Sequence, residues 1–70
     1  MIPIKNKTYF LNFKTNSKDS HINYTGPGVY TGDSTLDSEG LRLFLFEELN
    51  VDIGTTEDGW FSESDIVREL

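Results

Sequence analysis

The chain has no cysteine and a single histidine, His21, among its 70 residues. Without cysteine it can form neither a disulfide nor a thiolate site, and one histidine excludes a histidine-rich metal cage within one chain. No cofactor and no metal are therefore expected. A domain of this size buries only roughly 60% of the surface that its unfolded chain exposes. Its core must come from apolar packing, for which aromatic residues, at 13% of the chain, supply large side chains.

Long apolar runs are also missing. The longest is LFLF, residues 43–46, which is far too short to cross a bilayer. The opening MIPIKNKTYF lacks the apolar run of a signal peptide. Together with the lack of cysteine, these features predict one soluble, cytoplasmic domain over residues 1–70, a monomer or weak dimer with no membrane partner.

Positive charge is scarce, and the net charge is −6. Residues 1–32 contain four lysines and one aspartate, a net charge of +3, whereas residues 33–70 contain eleven acids and two arginines, a net charge of −9. Proteins that bind duplex nucleic acid present a basic stripe to the phosphates. Lysines 5, 7, 14 and 18 are only a scattered version of that stripe, so nucleic acid is not the expected partner.

Turn residues recur at short intervals and separate short apolar runs, which is typical of a small all-β domain. In KTYFLNF, residues 7–13, Tyr9, Leu11 and Phe13 share one face and Phe10 lies on the other, as in a strand. The polar residues 14–21 are expected to form a loop. Pro27 has no N–H to donate to a ladder, so a kink, bulge or bend is predicted there.

The run LRLFLFEELN, residues 41–50, is ambiguous, because its apolar residues fit both a helical and a strand spacing. It follows a glycine turn without an N-cap residue, which favours a strand covered on both faces. Near the C-terminus, Ser62 is suited to begin one turn of 3₁₀ helix, after which Ile66 and Val67 resume a strand.

These elements predict an all-β fold, a small barrel of about five strands with a short 3₁₀ turn near the C-terminus. The alternative is an α+β fold with a helix around residues 41–49. Residues expected to be largely buried are Tyr9, Leu11, Phe13, Val29, Leu43, Leu45, Phe61 and Ile66.

The segment GWFSESDIV, residues 59–67, resembles the C-terminal end of SH3-like small β-barrels of bacterial or phage type. TGPGVYTG, residues 25–32, is similar to the glycine-rich strand near the middle of such proteins. Peptide-binding SH3 domains have proline directly after the phenylalanine and tyrosine three positions further on. Here these positions are Ser62 and Asp65, so the resemblance implies the barrel rather than binding of polyproline.

The expected function is a small, non-catalytic protein-interaction module. Trp60 is the predicted anchor, because tryptophan and tyrosine are the usual hot-spot residues of interfaces. The predicted binding residues are Trp60, Tyr24, Tyr30, Glu57, Asp58, Glu63 and Asp65, with the tyrosines beside the tryptophan and the acids as a rim. No catalytic residue is predicted.

Two alternatives remain open. The acidic residues from Asp33 to Glu69 are dense enough for a nucleic-acid mimic or an inhibitor that occupies a basic groove, as in some phage and mobile-element proteins. Weak binding of nucleic acid through the N-terminal lysines is the other.

Overall fold

The computed structural model describes residues 1–13 and 24–70. His21, Lys14, Lys18 and the predicted polar loop lie outside these residues. The elements in chain order are β1 (Thr8–Asn12), β2 (Thr25–Leu36), β3 (Arg42–Asp52), β4 (Thr55–Ser62), a 3₁₀ turn (Glu63–Asp65) and β5 (Ile66–Glu69). The all-β prediction and the 3₁₀ turn are confirmed. The alternative of a helix around residues 41–49 is wrong, since that stretch is the central part of β3.

The five strands form one antiparallel sheet in the order β4-β3-β2-β1-β5. β2, β3 and β4 follow each other as neighbours, and β5 returns beside β1 with Ile66 opposite Leu11. The predicted return to a strand at Ile66 and Val67 is thereby confirmed. One face of this sheet holds the core and is called the inner face below; the opposite one is the outer face.

Aromatic rings fill the inner face. Phe46 and Phe61 are both fully buried, and their rings meet edge to face with centroids 5.7 Å apart. Tyr9 contacts Phe46 in the same geometry at 6.1 Å. Edge-to-face contacts match the positive ring edge to the negative ring face. The connected core cluster consists of Tyr9, Leu11, Tyr24, Tyr30, Phe44, Phe46, Leu49, Phe61 and Ile66.

The predicted core is correct in part. Tyr9, Leu11, Leu43, Phe61 and Ile66 are buried, as expected. Val29, Leu45 and Phe13 are only partly buried. In the run LFLF both faces are apolar, so the sequence pattern does not choose between them, and the structure turns Phe44 and Phe46 inwards instead of Leu45.

A bulge in β3 keeps the core continuous beyond Phe46. The register with β4 shifts between Phe46 and Leu49, and Glu48 has a φ of 61° there. Strict alternation would turn Glu48 inwards and Leu49 outwards. The extra residue restores Leu49 to the core, where it is fully buried, and leaves Glu48 exposed.

Of the kink, bulge or bend predicted at Pro27, a bulge is absent, because the register of β1 with β2 runs unbroken through this residue. β2 continues through Pro27, which lies opposite Phe10 of β1. The register of β2 with β3 begins only at Val29, so Pro27 lies beyond that ladder and its missing N–H removes no bond to β3. The irregularity of β2 lies instead between Tyr30 and Ser34.

Two glycines of this strand serve close packing. A Cβ at Gly26 would lie 2.7 Å from the hydroxyl of Tyr24, and a Cβ at Gly28 would lie 2.7 Å from Leu11 and 2.8 Å from Leu49. The glycine-rich segment TGPGVYTG therefore admits core side chains over the backbone. In residues 1–13 and 24–70 there is no helix that is long and apolar enough to span a membrane.

Candidate functional site

Trp60 lies on the outer face of the sheet. Its neighbours in β4, Gly59 and Phe61, are both buried, and successive side chains of a strand point to opposite faces. Trp60 is half-buried and lies opposite Leu45 of β3, which is also half-buried. The ring is therefore neither a core residue nor a fully exposed one.

Three further apolar residues continue from Trp60 across the outer face. Leu45 lies opposite Trp60, and Val29 lies opposite Glu47, two residues further along β3. Val29 also lies opposite Thr8, two residues before Phe10. Such diagonal neighbours are about 7–8 Å apart, within reach of large side chains. We call these four half-buried residues the outer strip: Phe10, Val29, Leu45 and Trp60.

Charges of opposite sign lie at the two ends of the outer strip. On β4, Asp58 precedes Trp60 by two residues and is exposed, and Glu47 lies opposite Val29. At the other end, the guanidinium of Arg68 lies 5.0 Å from the centroid of the Phe10 ring, within the range of a cation–π contact. The strip is thus acidic beside Trp60 and basic beside Phe10.

The predicted tyrosines lie in the core and not beside Trp60. Tyr24 packs edge to face on Phe61, with centroids 6.4 Å apart, and its hydroxyl donates to the carbonyl of Pro27 at 2.7 Å. Tyr30 contacts Phe44 and Phe46, with centroids 5.7 and 5.4 Å apart. Both are buried, so their rings form the inner face while Trp60 lies on the outer one.

The surroundings of Tyr30 also change its acidity. Burial raises the pKa of the Tyr30 phenol, and the nearby carboxylate of Asp33 raises it further, because both disfavour the phenolate. Its hydrogen bond with Ser34 and the charge of Arg42 act in the opposite direction but are weaker. Tyr30 therefore keeps its proton more strongly than an exposed tyrosine.

Asp65 stabilises the 3₁₀ turn from inside. Its carboxylate is 0% exposed and accepts hydrogen bonds from the backbone N–H of Ser62 at 3.1 Å and from the Ser62 hydroxyl at 3.2 Å. A carboxylate that satisfies the residue before a helical turn is one half of a capping box. The prediction that Ser62 begins this turn is confirmed, and the carboxylate of Asp65 faces the backbone rather than solvent.

The other predicted acids are exposed. Glu63, in the 3₁₀ turn, accepts a hydrogen bond from the amino group of Met1 at 2.6 Å. Glu57 and Asp58 belong to the outer part of β4, with Glu57 opposite Leu49. Of the predicted rim, Asp58 is the acid that shares the face of Trp60.

Phe10, Val29 and Leu45 were not among the binding residues predicted from the sequence. The signal for Phe10 was present, because alternation in KTYFLNF separates it from Tyr9 and Leu11. For Leu45 and Val29 the face could not be read from the pattern, since residues of both parities are apolar in their strands.

A pocket of about 440 Å³ lies where β3 begins, next to the 3₁₀ turn. Its lining consists of Met1, Leu41, Arg42, Ser62, Glu63 and Ser64. A guanidinium and a carboxylate both line it, so its charge selects neither anions nor cations. Among the residues that the structure describes, no group of three or more histidine or acidic side chains could hold a metal ion.

No protein-family model, no curated protein and no solved structure matches this chain. Its function is therefore inferred from the geometry of the described residues.

Proposed function

We propose that the protein is a non-catalytic protein-interaction module that binds its partner through the outer strip, with Trp60 as the anchor. The observation that carries this proposal is the alignment of four half-buried apolar side chains, one from each of four adjacent strands, on the face opposite the core. A small sheet with one packed face commonly leaves its other face polar. Here that face carries a tryptophan, a phenylalanine and two aliphatic residues.

The charges support a partner with a mixed surface. A tryptophan with polar neighbours is how a hot spot is built, since the surrounding groups exclude water from the anchor. Asp58, two residues before Trp60, and Glu47, opposite Val29, favour a basic group on the partner, and Arg68 beside Phe10 favours an acidic one. Charges of this kind steer the encounter and fix its orientation more than they hold the complex.

The fold that we propose is an SH3-like barrel. The antiparallel strand order β4-β3-β2-β1-β5, with a 3₁₀ turn between the last two strands, supports it. Ser62 and Asp65 occupy the two positions at which the SH3 peptide groove would need proline and tyrosine. Both are buried and hydrogen-bonded to each other, which argues for a different contact surface. We further propose that the module acts in the cytoplasm, as a monomer or weak dimer.

The second candidate is an acidic inhibitor or nucleic-acid mimic. From residue 43 to residue 67 the chain has no lysine, arginine or histidine. Five carboxylates lie in the same strand pair: Glu47, Glu48, Asp52, Glu57 and Asp58. This one-signed region favours a basic groove as the partner's surface. Binding of nucleic acid through Lys5 and Lys7 is the weaker alternative, because these two exposed lysines face a net charge of −6.

Capture of partners at low and at high salt separates the two candidates. The wild-type protein is immobilised beside Trp60→Ala and a control, Leu36→Ala, which truncates an exposed leucine at the far end of β2. We expect a partner that stays bound at high salt, is lost with Trp60→Ala and is kept with Leu36→Ala. A partner lost at high salt and kept by Trp60→Ala would instead support the acidic mimic, because salt screens exposed charges.

Quenching of fluorescence by acrylamide tests the anchor without a partner. Trp60 is the chain's one tryptophan, so the emission reports on this ring alone. We expect quenching between that of a core tryptophan and that of a free indole, and partial protection once the partner binds. Quenching as weak as that of a core tryptophan would make Trp60 a structural residue and favour the acidic mimic.

A further inference from the structure

The outer part of the β3–β4 hairpin is a ribbon that extends beyond the core. Along β3, Leu49 is the last fully buried residue before the tip of the hairpin, and every residue from 50 to 58 is exposed. We call residues 50–58 the ribbon. Its strands stay paired to the tip, with Asn50 opposite Thr56 and Asp52 opposite Thr55. The four residue-to-residue steps from Leu49 to Ile53 reach roughly 13 Å past the core at about 3.3 Å per step, within a molecule 34 Å long.

The ribbon ends in an aliphatic residue that the fold does not use. Ile53 is 100% exposed at the tip, and Val51 nearby is 38% exposed. Gly54 supplies the positive φ of the turn, 75°, and its position is open. Tips of this kind are usually polar, and an isoleucine here gives no packing energy. Its side chain is available only to something outside the chain.

The acids along the ribbon have an ordinary explanation, which Ile53 does not share. β4 is an edge strand, and charged side chains on an edge prevent strands of other molecules from pairing with it. Glu57 and Asp58 fit that role. A fully exposed isoleucine at the tip works against it, because exposed aliphatic residues promote association.

We propose that the ribbon is an insertion element whose tip, Ile53, enters an apolar cleft walled by lysine and arginine on a partner protein. The partner's charge follows from the ribbon, which carries Asp52, Glu57 and Asp58 and no basic residue. The same charges oppose duplex nucleic acid, an anionic membrane and a second copy of this ribbon. This inference does not depend on Trp60, since Ile53 and Trp60 can be altered separately; Asp58 is the residue that the ribbon shares with the surroundings of the outer strip.

An amino-substituted β-cyclodextrin is a suitable probe, because it has an apolar cavity with ammonium groups on its rim. We expect it to shift the NMR signals of the Ile53 methyl groups, at low salt, before those of the Trp60 indole. Its affinity should exceed that of neutral β-cyclodextrin about tenfold, and high salt should remove the difference. Equal affinity for the two cyclodextrins at low salt, or first shifts at Trp60, would overturn the proposal.

Matched variants separate the apolar and the charged contribution. Ile53→Asn should weaken binding of the amino-cyclodextrin roughly tenfold to a hundredfold, which is the range for burying one aliphatic side chain. Leu36→Asn, the replacement of another exposed aliphatic residue by asparagine, should leave the binding unchanged. Asp52→Asn with Glu57→Gln and Asp58→Asn should abolish the preference for the amino form. If Leu36→Asn weakens binding as much as Ile53→Asn, the ribbon has no special role.

A photo-crosslinking amino acid at position 53 extends the test to the partner. In an extract of the native cells, we expect one protein to crosslink at position 53 and not at position 36, and heparin, a polyanion, to compete. That protein, once purified, should bind Ile53→Asn at least tenfold more weakly than wild type. The proposal would be overturned if heparin did not reduce the crosslink at position 53, or if position 53 crosslinked only to a second copy of the chain. Binding of wild type, but not Ile53→Asn, to vesicles of anionic phospholipid would also overturn it.

Discussion

At one end of the β3–β4 pair Phe61 and Leu49 are 0% exposed, whereas at the other end Ile53 is 100% exposed. The same two strands form both ends, and both ends are paired by the same antiparallel ladder. The difference lies in the neighbours. β3 between residues 43 and 47 also pairs with β2, but no register with β2 extends beyond Glu47. Backbone pairing alone does not create a core; a third strand and a packed face are needed.

Because of this difference, the buried end stabilises the fold and the ribbon is available for contacts with other molecules. The buried end holds the folding free energy, because aromatic burial is concentrated there. The ribbon contributes little to stability, so its residues can be selected for contacts with other molecules. The outer strip lies between these two extremes, with half-buried side chains that add to stability and remain accessible.

Hydrogen exchange should show the largest contrast between the two ends. Amides of Phe44 and Phe46 lie on a strand that has neighbours on both sides, so we expect them to exchange only on global unfolding. Their opening free energy should equal the whole stability of the domain, of the order of 5 kcal/mol. For amides of the ribbon, the opening free energy should be close to zero. Equal protection from exchange for the amides of Phe44 and Phe46 and for those of the ribbon, measured by NMR, would contradict this difference in stability between the two ends.

The next largest effect is expected for Phe61→Ala. Removing this fully buried ring takes away its contacts with Phe46 and Tyr24 and leaves a cavity. We expect a loss of about 3–5 kcal/mol in the free energy of unfolding, measured by urea denaturation. Trp60→Ala, at the adjacent residue on the outer face, is the control and should cost clearly less. An unchanged midpoint for Phe61→Ala would contradict the assignment of Phe61 to the core.

Asp65→Ala should cost less than Phe61→Ala. It removes the carboxylate to which the backbone N–H of Ser62 donates, and an unsatisfied buried donor costs about 1–3 kcal/mol. Urea denaturation again gives the measurement. Glu63→Ala, two residues earlier and exposed, is the matched control, for which we expect a change within about 0.5 kcal/mol. Equal losses for the two variants would mean that Asp65 does not stabilise the turn.

The smallest effect is a dependence on alkaline pH. Because burial and Asp33 raise the pKa of Tyr30, the unfolded chain loses the phenol proton first, at its ordinary value of about 10. The native state then binds more protons than the unfolded one, so stability is full below about pH 10 and falls as pH rises towards the folded pKa. Tyr30→Phe should reduce this fall. Urea midpoints measured at about pH 9 and pH 11 for both proteins test it, and identical slopes would contradict it.

Much of the fold could be predicted from the sequence. The recurrent turn residues and the alternation around Tyr9 and Leu11 indicate strands, because a period of two has no other common cause. The absence of an N-cap before residue 41 correctly favoured a strand over a helix. Ser62 correctly marked the start of a short helical turn, whereas Asp65 was expected in the rim of the binding surface and not in the capping of this turn.

Less of the candidate site could be predicted from the sequence. Trp60 could be singled out because its ring is large and follows a turn, but its neighbours could not be identified. Tyr24 and Tyr30 were expected beside it, and the structure has them in the core. A tyrosine buries its ring as readily as phenylalanine once its hydroxyl has a partner, as that of Tyr24 has in the carbonyl of Pro27.

By itself, the sequence determined the uneven distribution of charge and favoured the all-β class and the strand in the ambiguous run, because these follow from composition and local spacing. Tertiary structure alone decided which face of LFLF is the core. The two faces are equally apolar, and only the register with β2 and β4 distinguishes Leu45 from Phe46. The bulge at Glu48 is likewise a tertiary choice: it returns Leu49 to the core, where burial of the leucine outweighs the cost of one residue at positive φ.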